Sequence, residues 1–276
     1  MPAALLFLTA ALSLAIAGTH AAAQQPPRQP AGSPRETAAI DLTGNWVSVV
    51  TEDWRWRMVT PPKGDYSSIP LTDEGRKVAD TWDLAKDEAS GNQCRAYGAG
   101  AIMRMPGRLR ISWENDNTLR IDTDAGTQTR LLQFGESQKP ASEPVWQGQS
   151  VASWEARPPA GGPGGGRGGG AQAPGTGQGQ APQAPEQPRG GSLKVVTTHM
   201  RPGYLRKNGV PYSENAVVTE YFDRHAAYGT EWFTVTTIVE DPRYLNQPFI
   251  TSSHFKREPD GSKWNPTPCE IPRPTK

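Results

Sequence analysis

Apolar and polar residues alternate with a period of two through long stretches of this chain. Leu109, Ile111 and Trp113 fall on one side of an extended segment and Arg108, Arg110 and Ser112 on the other; in the next segment Leu119 and Ile121 oppose Arg120 and Asp122. Successive side chains of a strand point to opposite faces, so this pattern predicts strands with one buried face. Nine segments read this way: residues 45–51, 108–113, 118–123, 127–134, 150–155, 193–199, 216–222, 231–239 and 249–255. Turn-forming runs such as Glu114-Asn115-Asp116-Asn117 and Asp124-Ala125-Gly126 link neighbours as short hairpins. Residues 72–86 have helical features instead, with Thr72 as N-cap, Asp73 and Glu74 in the first turn, and Val78, Ala79 and Trp82 on one face.

Hairpin-linked strands with one early helix restrict the architecture to a sandwich or an antiparallel barrel. Closure leaves no unpaired edge and the meander order permits it. The expected fold is therefore all-β: an antiparallel up-and-down barrel of eight to nine strands with one short N-terminal helix.

The alternation stops in three places. Residues 1–23 carry an apolar run from Ala3 to Ala17 and end in Ala21-Ala22-Ala23, the apolar core and A-x-A site of a signal peptide. The run is shorter than the roughly 20 residues a membrane span needs, and Thr9 and Ser13 dilute it. Cleavage is expected after Ala23, giving a periplasmic or secreted protein with no membrane span. Residues 24–38, rich in Pro and Gln, read as a flexible leader. Residues 158–191 hold no aliphatic side chain larger than Ala and no aromatic one, so burial cannot offset their ordering entropy and a disordered loop is expected. Strands predicted on both flanks make this loop the expanded tip of a hairpin inside a single barrel domain, residues 39–276. Such an insertion costs little, because closure entropy grows only with the logarithm of loop length.

Basic and acidic residues, 29 and 28, nearly cancel and are scattered, which gives no footprint for nucleic acid. Cys94 and Cys269 are the two cysteines, and in an oxidising compartment an even count predicts a disulfide tying the C-terminal tail to the loop after the helix. A metal or redox role is the rival, but no C-x-x-C, H-x-H or H-E-x-x-H spacing is present, nor a phosphate loop or dinucleotide fingerprint; neither a metal nor a cofactor is expected.

The run Leu42-Thr43-Gly44-Asn45-Trp46 opens the first predicted strand, and its G-x-W resembles the entry motif of lipocalins and related calycin barrels. The resemblance implies that the Trp packs across an end of the barrel near a basic side chain from a late strand, here Arg257 or Lys256. A second pattern covers more of the chain: Trp146-x-Gly148-x-Ser150-Val151-x-x-Trp154-Glu155, Leu193-x-Val195-x-Thr197-Thr198, Pro211-Tyr212-Ser213, Thr219-Glu220-Tyr221-Phe222 and Thr237-Ile238-Val239-Glu240-Asp241-Pro242. It resembles a group of secreted bacterial proteins that carries no established activity. In that group Glu155 and Leu193 would be joined by a tight turn, so the Gly/Pro tract is a departure.

Candidate chemistry centres on Glu220, which shares a strand face with Val218 and Phe222. If that face is the interior, the carboxylate needs a partner such as Arg110, Arg120, Arg130 or His199. A buried carboxylate of raised pKa can act as a general acid or base, and Glu220, His199 and Arg130 form the candidate catalytic set. The other reading is an outward Glu in a cross-strand ion pair. Trp54-Arg55-Trp56-Arg57 would put both tryptophans on one face and both arginines on the other, so Trp54, Trp56 and Arg57, with Trp113, Tyr204 and His254, are candidate ligand-binding residues. Tyr204 belongs to a loop, residues 202–209, read as a lid, whereas His225 reads as a solvated hairpin-turn residue.

Two functions follow from these features: an exported lipocalin-like barrel binding a small, partly apolar ligand in its cavity, or a periplasmic lyase, isomerase or hydrolase using Glu220. An envelope-adhesion role for the Gly/Pro tract is a third, weakened by that tract's lack of any hydrophobic anchor. Protein recovered from the periplasm of the exporting cell is expected to begin at Gln24. An intact mass that still includes Met1 would overturn the signal-peptide reading.

Overall fold

The computed structural model describes residues 32–135, 143–156, 191–270 and 274. The expected signal peptide, most of the leader and all but the last residue of the 158–191 loop lie outside the described residues. That last residue, Gly191, opens a strand.

Among the described residues nine strands close a barrel. In chain order they are β1 (Gly44–Val49), β2 (Arg108–Asn115), β3 (Thr118–Thr123), β4 (Gln128–Phe134), β5 (Gln149–Ala156), β6 (Gly191–Thr198), β9 (Val217–Ala227), β10 (Thr230–Glu240) and β11 (Phe249–Glu258). Each matches a segment predicted from alternation. The two remaining strands, β7 (Gly203–Arg206) and β8 (Val210–Tyr212), form a separate hairpin where a lid loop was expected. The β9–β10 hairpin is longer than the pattern suggested: pairing runs to Ala227↔Thr230, and the turn is Tyr228-Gly229, both at positive φ. Such a two-residue turn follows the native strand twist, and His225 consequently sits on β9 itself.

The barrel is not wholly antiparallel. β4 pairs with β5 in parallel, through Leu132↔Ser150 and Phe134↔Ala152. The two strands overlap over three residues, the start of β5 lying beside the end of β4, and residues 135–148 separate them in sequence. Parallel neighbours need a connection of this order. Side-chain alternation reads the same in either direction, and for that reason it could not reveal the reversal.

One end of the barrel is closed by the β1–β2, β6–β9 and β10–β11 connections and carries the helices. The predicted helix splits into α2 (Asp73–Asp80) and α3 (Leu84–Ala89), because the backbone leaves helical space at Asp83, whose carboxylate caps α3 by accepting from Ala85 N at 2.9 Å. A third short helix, α1 (Trp54–Arg57), replaces the predicted Trp/Arg alternation. In a helical turn, neighbours two apart do not share a face, so Trp54 is exposed while Trp56 is half-buried, and Arg55 is exposed while Arg57 is buried. The opposite, amino-terminal end is approached by residues 32–43; Trp154 Nε1 donates to Pro34 O at 2.8 Å.

Inward-facing side chains fill the interior. Trp46, Phe222, Phe233 and Phe255 have no more than 1% exposure, and Phe233 lies 4.7 Å from Trp46 and 4.8 Å from Phe255 between ring centroids. Such aromatic contacts add about 0.5–1.5 kcal/mol each beyond their buried area. Ile102 and Met103, on a 3-10 turn (Ile102–Arg104), join the same core from the helical end. The G-x-W run has a physical basis here. Arg257 lies 5.0 Å over the Trp46 ring and donates to Thr43 O at 2.7 Å, while a Cβ at Gly44 (φ +122°) would meet the guanidinium at 2.7 Å.

Cys94 and Cys269 are bonded, as expected. The bridge holds the C-terminal tail beside the β3–β4 turn, where Thr267 N donates to Asp124 O at 2.8 Å. Closing a loop this long removes unfolded-state entropy worth about 4–5 kcal/mol in the chain-entropy model, commonly less in practice. The Cys94→Ala/Cys269→Ala variant is expected to lose about 2–4 kcal/mol in denaturant unfolding with the barrel retained. A loss under 0.5 kcal/mol would mean the tail is held without it.

Candidate functional site

Glu220 faces inward, as do Val218 and Phe222 on either side of it. From β4 across the lumen, Arg130 grips it with both terminal nitrogens, Nη1 to Oε1 at 3.1 Å and Nη2 to Oε2 at 2.6 Å, and neither side chain is exposed. Arg130 Nη2 also donates to Thr197 Oγ1 at 3.3 Å, and that hydroxyl lies 2.8 Å from Ser150 Oγ. This is the paired geometry a buried carboxylate requires.

His199 does not join the pair. Val195 is the β6 residue opposite Glu220, and His199 lies four residues further along, about 13 Å of extended chain. It has left the strand with a positive φ of 56°. The structure thus brings together two of the three candidate catalytic residues. Both oxygens of the carboxylate are held by one cation, an arrangement that suits holding strands in register.

The ligand candidates are dispersed. Trp113 packs with Phe134 and Trp154, at 5.5 and 6.4 Å, facing inward at the amino-terminal end. His254 is on the outer face of β11, its Nδ1 2.9 Å from Thr234 Oγ1 and its Nε2 3.6 Å from Glu52. Tyr204 donates to Asp87 at 2.7 Å and lies under Arg95, 4.6 Å from the ring; burial, reinforced by Asp87, holds its phenol well above the ordinary value. Trp56 and Arg57 stay near each other at the helical end, joined by Arg104 and Arg206, which sequence reading had not selected. Among the described residues no group of three or more His, Cys, Asp or Glu is placed to hold a metal ion.

A groove of about 460 Å³ opens beside the amino-terminal end, lined by Ala38, Ala39, Ile40, Asp41, Arg224, His225, Ala226 and Glu231. Its position follows from the sequence. The long β9–β10 hairpin carries Arg224, His225 and Ala226 past the barrel wall, and the segment leading into β1 supplies the alanines and Ile40, which packs against the core. Arg224 is ion-paired with Glu231, whose other oxygen is 3.7 Å from Arg257, so the groove is linked to the Trp46 contact. The alternation stops at Phe222, and residues 223–227 carry no pattern of two that would have extended the strand to the groove.

Comparison of the chain with protein-family models, with curated proteins and with solved structures gives no match.

Glu220→Gln is expected to lower stability by about 3–5 kcal/mol in denaturant unfolding, because it leaves the Arg130 charge buried without a counter-charge. The double variant Arg130→Met/Glu220→Leu should recover most of that loss. A double variant as unstable as the single one would show that the pair is not the reason for the defect.

Proposed function

We propose that this protein is an exported, lipocalin-like barrel that binds a small, partly apolar ligand, and that the ligand sits in the groove at the amino-terminal end and not in the lumen. The observation that carries this reading is the groove itself: at about 460 Å³ it falls within the range of small-molecule sites. Its alanine and isoleucine walls offer apolar contact, and His225, Asp41 and the Arg224–Glu231 pair offer a few orienting polar groups. The lumen is a poor alternative, since Trp46, Phe222, Phe233 and Phe255 occupy it. Opposite charges on the groove nearly balance, which favours an uncharged or weakly polar molecule.

Native mass spectrometry of protein purified from its own periplasm should show a retained small molecule. Ala226 is exposed on β9, so Ala226→Trp fills the groove without touching the core, and the bound mass should disappear in that variant. Retention unaffected by Ala226→Trp would place the ligand elsewhere.

A further inference from the structure

One recess at the helical end of the barrel gathers four cations. Arg57, Arg104, Arg206 and Lys207 line it with Trp56, Ala101, Met105 and Leu205. Arg57 is fully engaged: Nε donates to Arg104 O at 2.9 Å, Nη2 to Ser48 Oγ at 3.1 Å, and Nη1 pairs with Glu52. Arg104 is only half satisfied. Its Nη2 donates to Asp53 at 2.9 Å, but its Nη1 is buried with no partner, on a side chain 8% exposed.

Arg206 is held without any carboxylate ion pair among the described residues. Nη1 donates to Ser67 O at 2.9 Å, the guanidinium lies 4.5 Å over the Trp56 ring, and Nε is buried with no partner. Lys207 donates to Arg57 O at 2.8 Å and likewise lacks an ion pair. Four cations thus meet two paired carboxylates, Glu52 and Asp53. Asp65 is near Arg206 in charge but is taken by Arg55 at 2.9 Å. Burial and the charge of Arg104 lower Arg206 to about 10, still protonated at neutral pH; burial and the charge of Arg57 lower Lys207 as well.

Buried, unpaired N–H donors on charged side chains cost several kcal/mol when nothing accepts from them, and guanidinium forks match oxyanions geometrically. We propose that this recess is a binding site for a phosphate- or sulfate-type oxyanion group, received by the guanidinium groups of Arg104 and Arg206 and the charge of Lys207. The recess, about 20 Å³, admits one small group and no organic body. The anion is therefore free or the terminal group of a molecule whose remainder stays outside. The site lies at the barrel end opposite the groove and stands without it.

The test is thermal unfolding of the intact, oxidised protein with inorganic phosphate or sulfate against chloride at equal ionic strength, followed by calorimetric titration. Phosphate at about ten times its Kd should raise Tm by about 3–6 °C; a rise matched by chloride overturns the proposal. Arg104→Met should abolish the phosphate-specific rise. Should that variant fail to fold, Asp53→Asn decides, because removing the competing carboxylate should tighten phosphate about three- to tenfold; unchanged or weaker binding overturns the site. Tighter binding of a phosphomonoester than of inorganic phosphate assigns the anion to a larger molecule, and equal binding assigns it to the free ion.

Discussion

The arrangement of the barrel depends on one ion pair across its lumen. Arg130 on β4 and Glu220 on β9 belong to strands separated in the sheet by β5 and β6, so their contact is not a ladder neighbour but a chord through the interior. Two desolvated charges are costly apart and tolerable only together. A shift of one residue in the pairing of β9 would turn Glu220 outward and leave Arg130 buried alone. The pair therefore penalises every register except the observed one. This constraint falls where it is most needed, because β4 begins the parallel step at which the meander order alone no longer dictates pairing.

The rest of the structure follows from filling and closing that barrel. Large aromatics from β1, β9, β10 and β11 occupy the lumen towards the amino-terminal end, and Ile102 and Met103 enter from the other. The connections at the helical end are tied together by groups distant in sequence: Thr72 N to Tyr244 O at 2.9 Å, Asn246 N to Pro70 O at 2.8 Å, and the Cys94–Cys269 bridge. Loops carrying so many long-range ties serve as a plug, and buried loop backbone needs such partners.

Nine strands and their buried faces were legible because a period of two survives in each of them; Leu109, Ile111 and Leu119 face inward as alternation required. Features set by direction or by single capping residues were not legible. The parallel β4–β5 step leaves no mark on alternation, and one Asp83 side chain divides a helix whose apolar spacing is continuous. The Trp54–Arg57 run satisfies a strand pattern over four residues, too few to distinguish two periods. Of the candidate site, the Arg130–Glu220 pairing was anticipated as one of several options. The distance to His199 was not, since a register fixes it. Arg104, within Ile102-Met103-Arg104-Met105, looks like an interruption of an apolar run until the fold brings Arg57 and Arg206 beside it.

A barrel of about eight strands has an interior that side chains can fill or that can hold one small ligand, but not both. This chain takes the first course, with tryptophan and phenylalanine where a ligand would otherwise lie. The binding proposed for this chain then falls to the two ends, where connecting segments are free to differ. The ends have diverged in character. The amino-terminal groove is alanine-walled and nearly balanced in charge, whereas the helical end concentrates guanidinium groups whose donors outnumber their acceptors. The same closure that packs the lumen holds those arginines rigid, because Arg57 is anchored to Ser48 on β1 and to the Arg104 backbone of the 3-10 turn that plugs the barrel. A charge cluster fixed in this way cannot relax into solvent to relieve its own repulsion, which is the physical ground for the counter-charge proposed for it.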